Sequence, residues 1–517
     1  RPPFSRQLFA ISTVSGGSLG AAVYAALLDQ YGSGAWPRLR PEGADDAQWF
    51  RSGKAYGLRG LSREPLPGVM SRKDVVQQIL AGDFLSPAIA ALSLDIWVPF
   101  HVNLINPGDR TYFLERSWEE RFADPSGGTK IAGLRTLGPR ATGGQAYRAT
   151  GLERGLASLA PDETTWRPLL VFNGTSITTG RRIITSTLHP LMGSPDDPDD
   201  LPDEERTVEA VFRDAYDTYD LMCSSMLPPG PSDCTCVRPA KKTVPEVVRI
   251  KGCDVRLSTA VSNAARFPVV SSHGDITTTG GKLVDRIADG AYFDYSGIVS
   301  AMELHAQIAR VDVKLNPFVL FLTNDPGFNP QACEGSGAGD AAPLDELDVL
   351  RRPTAPPTTP ARGELFSSLR YPLDTVLNAR VARSGHTMAQ SVLLNRYQNV
   401  RAGYDTAPRS MVQLREGLQA FVSFDIVSVG ARCNKDKQVH PVPMSWWLSM
   451  PTQAYLDQEI CAPHNRGSIA GLLSQLGPQP PANETGAHME RYAREKAHVD
   501  ASCGGPGAVP RSGRQTR

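Results

Sequence analysis

No uninterrupted apolar run in these 517 residues reaches the ~20 that a membrane-spanning helix requires. The nearest, Phe84 to Ile105, carries Asp95 and is broken by Pro87 and Pro99, which excludes a multi-span protein. A mean hydropathy of −0.26 fits a soluble or peripherally membrane-associated chain. Charge of one sign is also missing: 54 Lys and Arg face 54 Asp and Glu. With no basic stripe, nothing supports nucleic-acid binding. Cysteine is thin, at eight residues, and only Cys234 and Cys236 lie close together. No four-ligand zinc spacing exists, so the thiols are read as ordinary and no metal is expected. A disulfide among Cys223, Cys234 and Cys236 requires an oxidising compartment. The sequence begins at Arg1 without a charged-then-apolar leader, and is read as a fragment or processed product, so any targeting or membrane segment is expected upstream.

What is present suffices for a globular core, with 41 % hydrophobic residues. Leu8 to Thr13 reads as a short buried strand, and Leu19 to Leu28 as a buried Ala-rich helix. Pro168 to Asn173 faces Arg182 to Thr187 across Gly174 to Arg181, which predicts a hairpin. Further strands are expected at Pro317 to Thr323 and Ala420 to Val429, and helices at Ser258 to Ala265, Ile298 to Arg310 and Met411 to Leu418. Strands mixed with helices indicate an α/β class. Acidic, proline-rich Pro195 to Glu205 opens an excursion to about Val244, and Asn324 to Gly363 is rich in Pro, Gly, Ala and Asp. Both read as surface insertions, spanning roughly 190–245 and 324–363. One domain over 1–475 and a disordered tail over 476–517 complete the expected organisation.

Gly16-Gly17-Ser18-Leu19-Gly20 fits a GxSxG elbow between that strand and that helix. A serine on a strained strand-to-helix turn projects its hydroxyl from the sheet edge, with Gly16 and Gly20 relieving crowding. The Leu19 amide and the helix dipole then favour the oxyanion of a tetrahedral intermediate. The bland alternative is a glycine-rich turn ahead of a core helix.

A nucleophilic serine needs a general base. Asp289-Gly290-Ala291 follows LVDRIAD and precedes a helix, and Asp289 is the candidate; an aspartate before glycine is otherwise an ordinary turn residue. A histidine triad is the competing arrangement, with His305, His386, His440 or His464 as its base.

Together these residues resemble the patatin-like phospholipase family, whose members use a Ser–Asp dyad in GxSxG and DG(A/G) motifs. The matching positions are Ser18 in VSGGSLG and Asp289 in DGA, 271 residues on. LSTAVSNAARFPVVSS (257–272), ADGAYFDYSG (288–297) and FNGTSITTGRR (172–182) are similar to the family's usual surroundings, while Tyr295 stands where many members have Asn. The resemblance implies a three-layer fold around a mostly parallel sheet and a lipid acyl hydrolase working without metal or organic cofactor. Its substrate is then a lipid or phospholipid reached at a membrane or micelle surface. Phe84 to Ile105, interrupted by Asp95 and two prolines, reads as a buried core helix followed by a loop, with an interfacial or lid segment carrying Trp97 and Phe100 as the alternative.

The family's oxyanion loop lies upstream of the serine. RPPFSRQLFAISTVSGG contains none, and Gly127-Gly128 and Gly143-Gly144 follow the elbow instead. The resemblance thus implies a missing first strand and glycine loop, and about 10²–10³-fold weaker activity than a form carrying them. A lipid-binding scaffold of the same fold that has lost activity is the alternative from another class.

Overall fold

The computed structural model describes residues 4–31, 76, 79–80, 82–84, 86–89, 111–123, 151–161, 165–188, 211–212, 214–222, 254–266, 271–278, 282–311, 319–323, 426–428, 432–433, 439–440, 461, 463–476 and 485–503. The expected helix at 411–418, the insertion at 324–363, the late glycine pairs, Trp97, Phe100, His386 and Cys223, Cys234 and Cys236 lie outside the described residues.

The centre is a six-stranded mixed sheet. Strand β1 (Ala10–Thr13) enters helix α1 (Ser15–Tyr31) directly, and helix α2 (Thr111–Ala123) follows later in the chain. Strand β2 (Leu169–Ser176) forms the predicted hairpin with β3 (Arg182–Ser186). Strand β4 (Ala215–Asp217) leads into the short helix α3 (Thr218–Met222), and α4 (Leu257–Ala264) precedes β5 (Gly274–Thr277) and β6 (Leu283–Asp289). Helix α5 (Ile298–Val311) comes next. The hydrogen-bonded order is β4-β3-β2-β6-β5, with β1 also on β2.

Three of the five pairings, β2–β3, β2–β6 and β5–β6, are antiparallel, so the sheet is mostly antiparallel rather than mostly parallel. The reason is local. A short turn after Ser176 sends the chain straight back along β2, as only an antiparallel pair permits, and β5 and β6 repeat the device.

All eight residues of β2 are buried, as expected of a central strand covered on both faces. Alternation sends Leu170 and Phe172 towards α1, α2 and α4, and Val171 the other way to meet Ile184, Phe212 and Leu304 of α5. In α1 the small side chains Ala22, Val23 and Ala26, with Leu27, are fully buried, because an Ala-rich helix lets its neighbours approach closely. Truncating Leu27 in such a site costs about 2–5 kcal/mol. The serines of α4 have an equally definite purpose. Ser258, Thr259 and Ser262 donate hydroxyl hydrogen bonds to the buried carboxylates of Glu119 and Glu115 on α2, at 2.6, 2.9 and 2.5 Å. Buried carboxylates require such partners.

Two further expectations are corrected. The excursion read as a surface loop contributes β4 and α3 to the sheet region, with Phe212, Asp217 and Tyr219 buried. A short, locally polar stretch hid a pairing whose stability comes from β3. The segment read as a disordered tail carries helix α7 (Thr485–Ser502), which packs on α6 (Pro463–Gln475). A Cys461–Cys503 disulfide closes this helical pair, and Arg466 bonds Asp500 at 3.2 Å. Few apolar residues suffice there because covalent closure reduces the chain entropy that packing must offset. Strands β7 (Phe321–Thr323) and β8 (Ile426–Ser428) pair in parallel, each three residues long and lying inside a longer predicted run. Among the described residues no helix is long and apolar enough to cross a membrane.

Candidate active site

The local geometry of the elbow differs from the one expected around Ser18. Helix α1 begins at Ser15, so Gly16, Gly17 and Ser18 are already helical. Ser18 is fully buried, and its hydroxyl has no hydrogen-bond partner among the described residues. The strained residue is Ser15, with φ of 48°, while its side chain is only half-buried. For a residue with a Cβ that region costs roughly 1–2 kcal/mol and persists only when the surroundings enforce it. Of the two serines, Ser15 is the partly exposed one on a strained strand-to-helix junction, as a nucleophile elbow requires, whereas Ser18 is helical and buried.

The roles given to the glycines change accordingly. A Cβ at Gly16 or Gly20 would meet open space, so no crowding around Ser18 requires glycine there. Gly16 and Gly17 are exposed at the helix start, and the Gly17 amide bonds back to the Val14 carbonyl at 3.1 Å. The Leu19 amide, fifth in the helix, falls within the regular i→i−4 ladder. The amide that follows the strained serine is Gly16's, one of the first-turn donors an α-helix leaves unused.

Sheet topology brings Asp289 to this junction. Strand β1 runs parallel to β2 and ends with Thr13 opposite Phe172. Strand β6 runs antiparallel to β2 and ends with Asp289 opposite Gly174. Since β3 occupies the other edge of β2 along 171–175, β1 and β6 share one edge and meet end to end. Only Asn173 separates their two terminal partners. Asp289 ends one of the two strands converging on that gap, and Ser15 follows the end of the other by two residues. A Cβ on Gly290 would come within 3.1 Å of Val14 Cγ1 and would overlap the Asn173 carbonyl oxygen. The glycine after Asp289 is thus required by close backbone approach, not by turn conformation.

Asp289 is almost fully buried and held on three sides. Its Oδ1 accepts the Ala291 amide at 2.8 Å, capping the short turn Gly290–Tyr292. Its backbone amide donates to the Arg266 carbonyl at 3.2 Å, and Thr175 Oγ1 donates to its carbonyl at 2.9 Å. Of the competing bases, His305 lies half-buried on α5, His440 ends the two-residue strand Val439–His440, and His464 sits in the first turn of α6.

Three residues around the gap carried little sequence signal. Asn173 is buried, and its Nδ2 donates to Ser12 Oγ and the Thr13 carbonyl, both at 3.0 Å. Ser300 Oγ donates to Asn173 Oδ1 at 2.5 Å, and Arg182 Nη1 donates to Ser300 Oγ at 2.6 Å. A polar residue ending the apolar run LLVF was the one visible clue to Asn173. Ser15 escaped because Thr13, a paired strand residue, stands where the motif's first glycine is sought.

Comparison with family models, with curated proteins and with solved structures finds no match to this chain. The mixed α/β fold and the converging strand ends therefore define the site by themselves.

Proposed function

We propose that the chain is a serine acyl hydrolase in which Ser15 is the nucleophile and Asp289 the general base. One observation carries this reading: β1, which leads two residues on into the strained Ser15, and β6, which ends in the buried Asp289, converge end to end on the same edge of β2. Backbone strain that the surrounding structure enforces clusters at functional sites. In this mechanism Asp289 takes the Ser15 proton as the hydroxyl oxygen adds to an ester carbonyl. The first-turn amides of α1, Gly16's foremost, face the developing oxyanion together with the positive end of the helix dipole. The departing alcohol receives the proton, leaving an acyl-enzyme. Water, deprotonated by Asp289, then releases the carboxylic acid and restores the serine.

The substrate class is read from the motif resemblance as a fatty-acyl ester of a lipid or phospholipid, presented at a membrane or micelle surface. No cofactor enters this scheme.

A fluorophosphonate probe tests the assignment on the full-length protein. Labelling is expected to disappear in Ser15→Ala, persist in Ser18→Ala and slow strongly in Asp289→Asn. Labelling that survives Ser15→Ala and vanishes in Ser18→Ala would return the nucleophile to Ser18, and labelling lost only with a histidine substitution would establish a triad. Faster release of fatty acid from phosphatidylcholine vesicles than of butyrate from a soluble ester supports the lipid class; the reverse preference refutes it.

A further inference from the structure

We infer that Asn173 is a positioning residue for Ser15, acting as the last link of a one-way hydrogen-bond relay that starts at the buried cation Arg182. The inference rests on the reading of Ser15 and Asp289 as the reacting pair, and adds to it what holds the strained junction in place.

Arg182 is anchored first. Its guanidinium pairs with both carboxylate oxygens of Glu303, at 2.8 and 3.0 Å, and lies over the Phe293 ring at 5.5 Å. From there every link donates in the same direction. Arg182 Nη1 donates to Ser300 Oγ, Ser300 Oγ donates to Asn173 Oδ1, and Asn173 Nδ2 donates to the Thr13 carbonyl. A cation at the donor end polarises each following donor, so the final amide-to-carbonyl bond is stronger than an isolated one. That bond ends two residues before Ser15.

A second arm fixes the same strand. Asn173 Nδ2 also donates to Ser12 Oγ, which in turn donates to the Gly297 carbonyl at 2.7 Å. Gly297, with φ of 75°, leads into α5, which carries Ser300 and Glu303. The side chain of Asn173 thus ties β1 to α5, while its backbone carbonyl abuts Gly290 beside Asp289. Asn173 therefore touches both strand ends at the gap. A change of about 1 Å in how these ends face each other is enough to cost a reaction 10²-fold.

Ser300→Ala cuts the relay without burying a new charge, and Asn173→Asp keeps the shape while replacing the terminal donor by an acceptor. In both variants, we expect the maximal rate of fluorophosphonate labelling per folded molecule to fall about 10–10²-fold, with little change in the half-saturating probe concentration. Ser300→Thr, which keeps the hydroxyl, should recover most of the rate. Amide exchange across 12–18 should accelerate in Ser300→Ala and not in Ser300→Thr. If Ser300→Ala melts at a lower temperature but labels at the wild-type rate per folded molecule, the relay is structural only and the inference fails. Normal wild-type labelling with that outcome leaves the Ser15–Asp289 reading intact, whereas a wild type that never labels overturns both.

Discussion

Asp217→Asn is a sharp test of the electrostatics near the sheet. Asp217 ends β4, is fully enclosed, and caps α3 by accepting the Tyr219 and Asp220 amides at 2.8 and 3.3 Å. Burial, and then the negative charge of Asp220, push its carboxyl from an ordinary 3.8 to about 8, against the opposing effect of those two amides. Two neighbours respond similarly: burial raises the Asp254 carboxyl, and burial together with Asp254 raises the Tyr219 hydroxyl well above its usual range. The sign follows from linkage. Above pH 3.8 the unfolded chain releases the Asp217 proton, while the folded chain keeps it until about pH 8. The folded state binds more protons in that window, so stability falls as pH rises through it and levels off above it. An Asn at this position keeps the capping oxygen but carries no charge. At about 1.4 kcal/mol per tenfold in the protonation constant, the variant should gain roughly 2, 4 and 6 kcal/mol on the wild type at pH 5, 7 and 9. Urea unfolding of both proteins across pH 4–9, followed by far-UV circular dichroism, measures this difference. A gap that stays flat from pH 5 to 9, or that narrows with rising pH, refutes the enclosed, protonated Asp217.

Two other perturbations are equally direct. Gly290→Ala places a methyl group on the Asn173 carbonyl, so the backbone beside Asp289 must move; about 1–3 kcal/mol of stability and most of the labelling rate should be lost together, read by thermal melts and probe kinetics. Retention of full labelling would show that this close approach is not tied to the site. Cys503→Ser opens the link to Cys461 across a separation of 42 residues, which chain entropy values at about 4 kcal/mol in the helical pair it closes. Protease should then cut near 476–485 faster, and dithiothreitol should produce the same change in the wild type; cleavage that is indifferent to both refutes the stapling role.

Much of the scaffold was legible from local pattern. The β1–α1 junction, the hairpin 169–186, and helices α4 and α5 all follow from hydrophobic period and glycine placement, signals carried by neighbours in the chain. Of the three antiparallel pairings, β2–β3 and β5–β6 join strands adjacent in sequence, whereas β2–β6 was not legible, since it joins strands more than a hundred residues apart. Helix α7 was missed for a related reason: its stability comes from α6 and a disulfide, not from an apolar face of its own.

The sequence by itself determined that a serine-bearing turn joins a short strand to a buried helix, and that an aspartate-glycine pair ends a later strand. Which serine occupies the strained position was decided only by the tertiary structure. Pairing of β1 with β2 stops at Thr13, so the chain must turn at Ser15, and Ser18 is carried one helical turn further into the core. The convergence of the strand ends that lead to Ser15 and Asp289 likewise belongs to topology. It arises because β1 and β6 share one edge of β2 in opposite directions, an arrangement that no local spacing encodes.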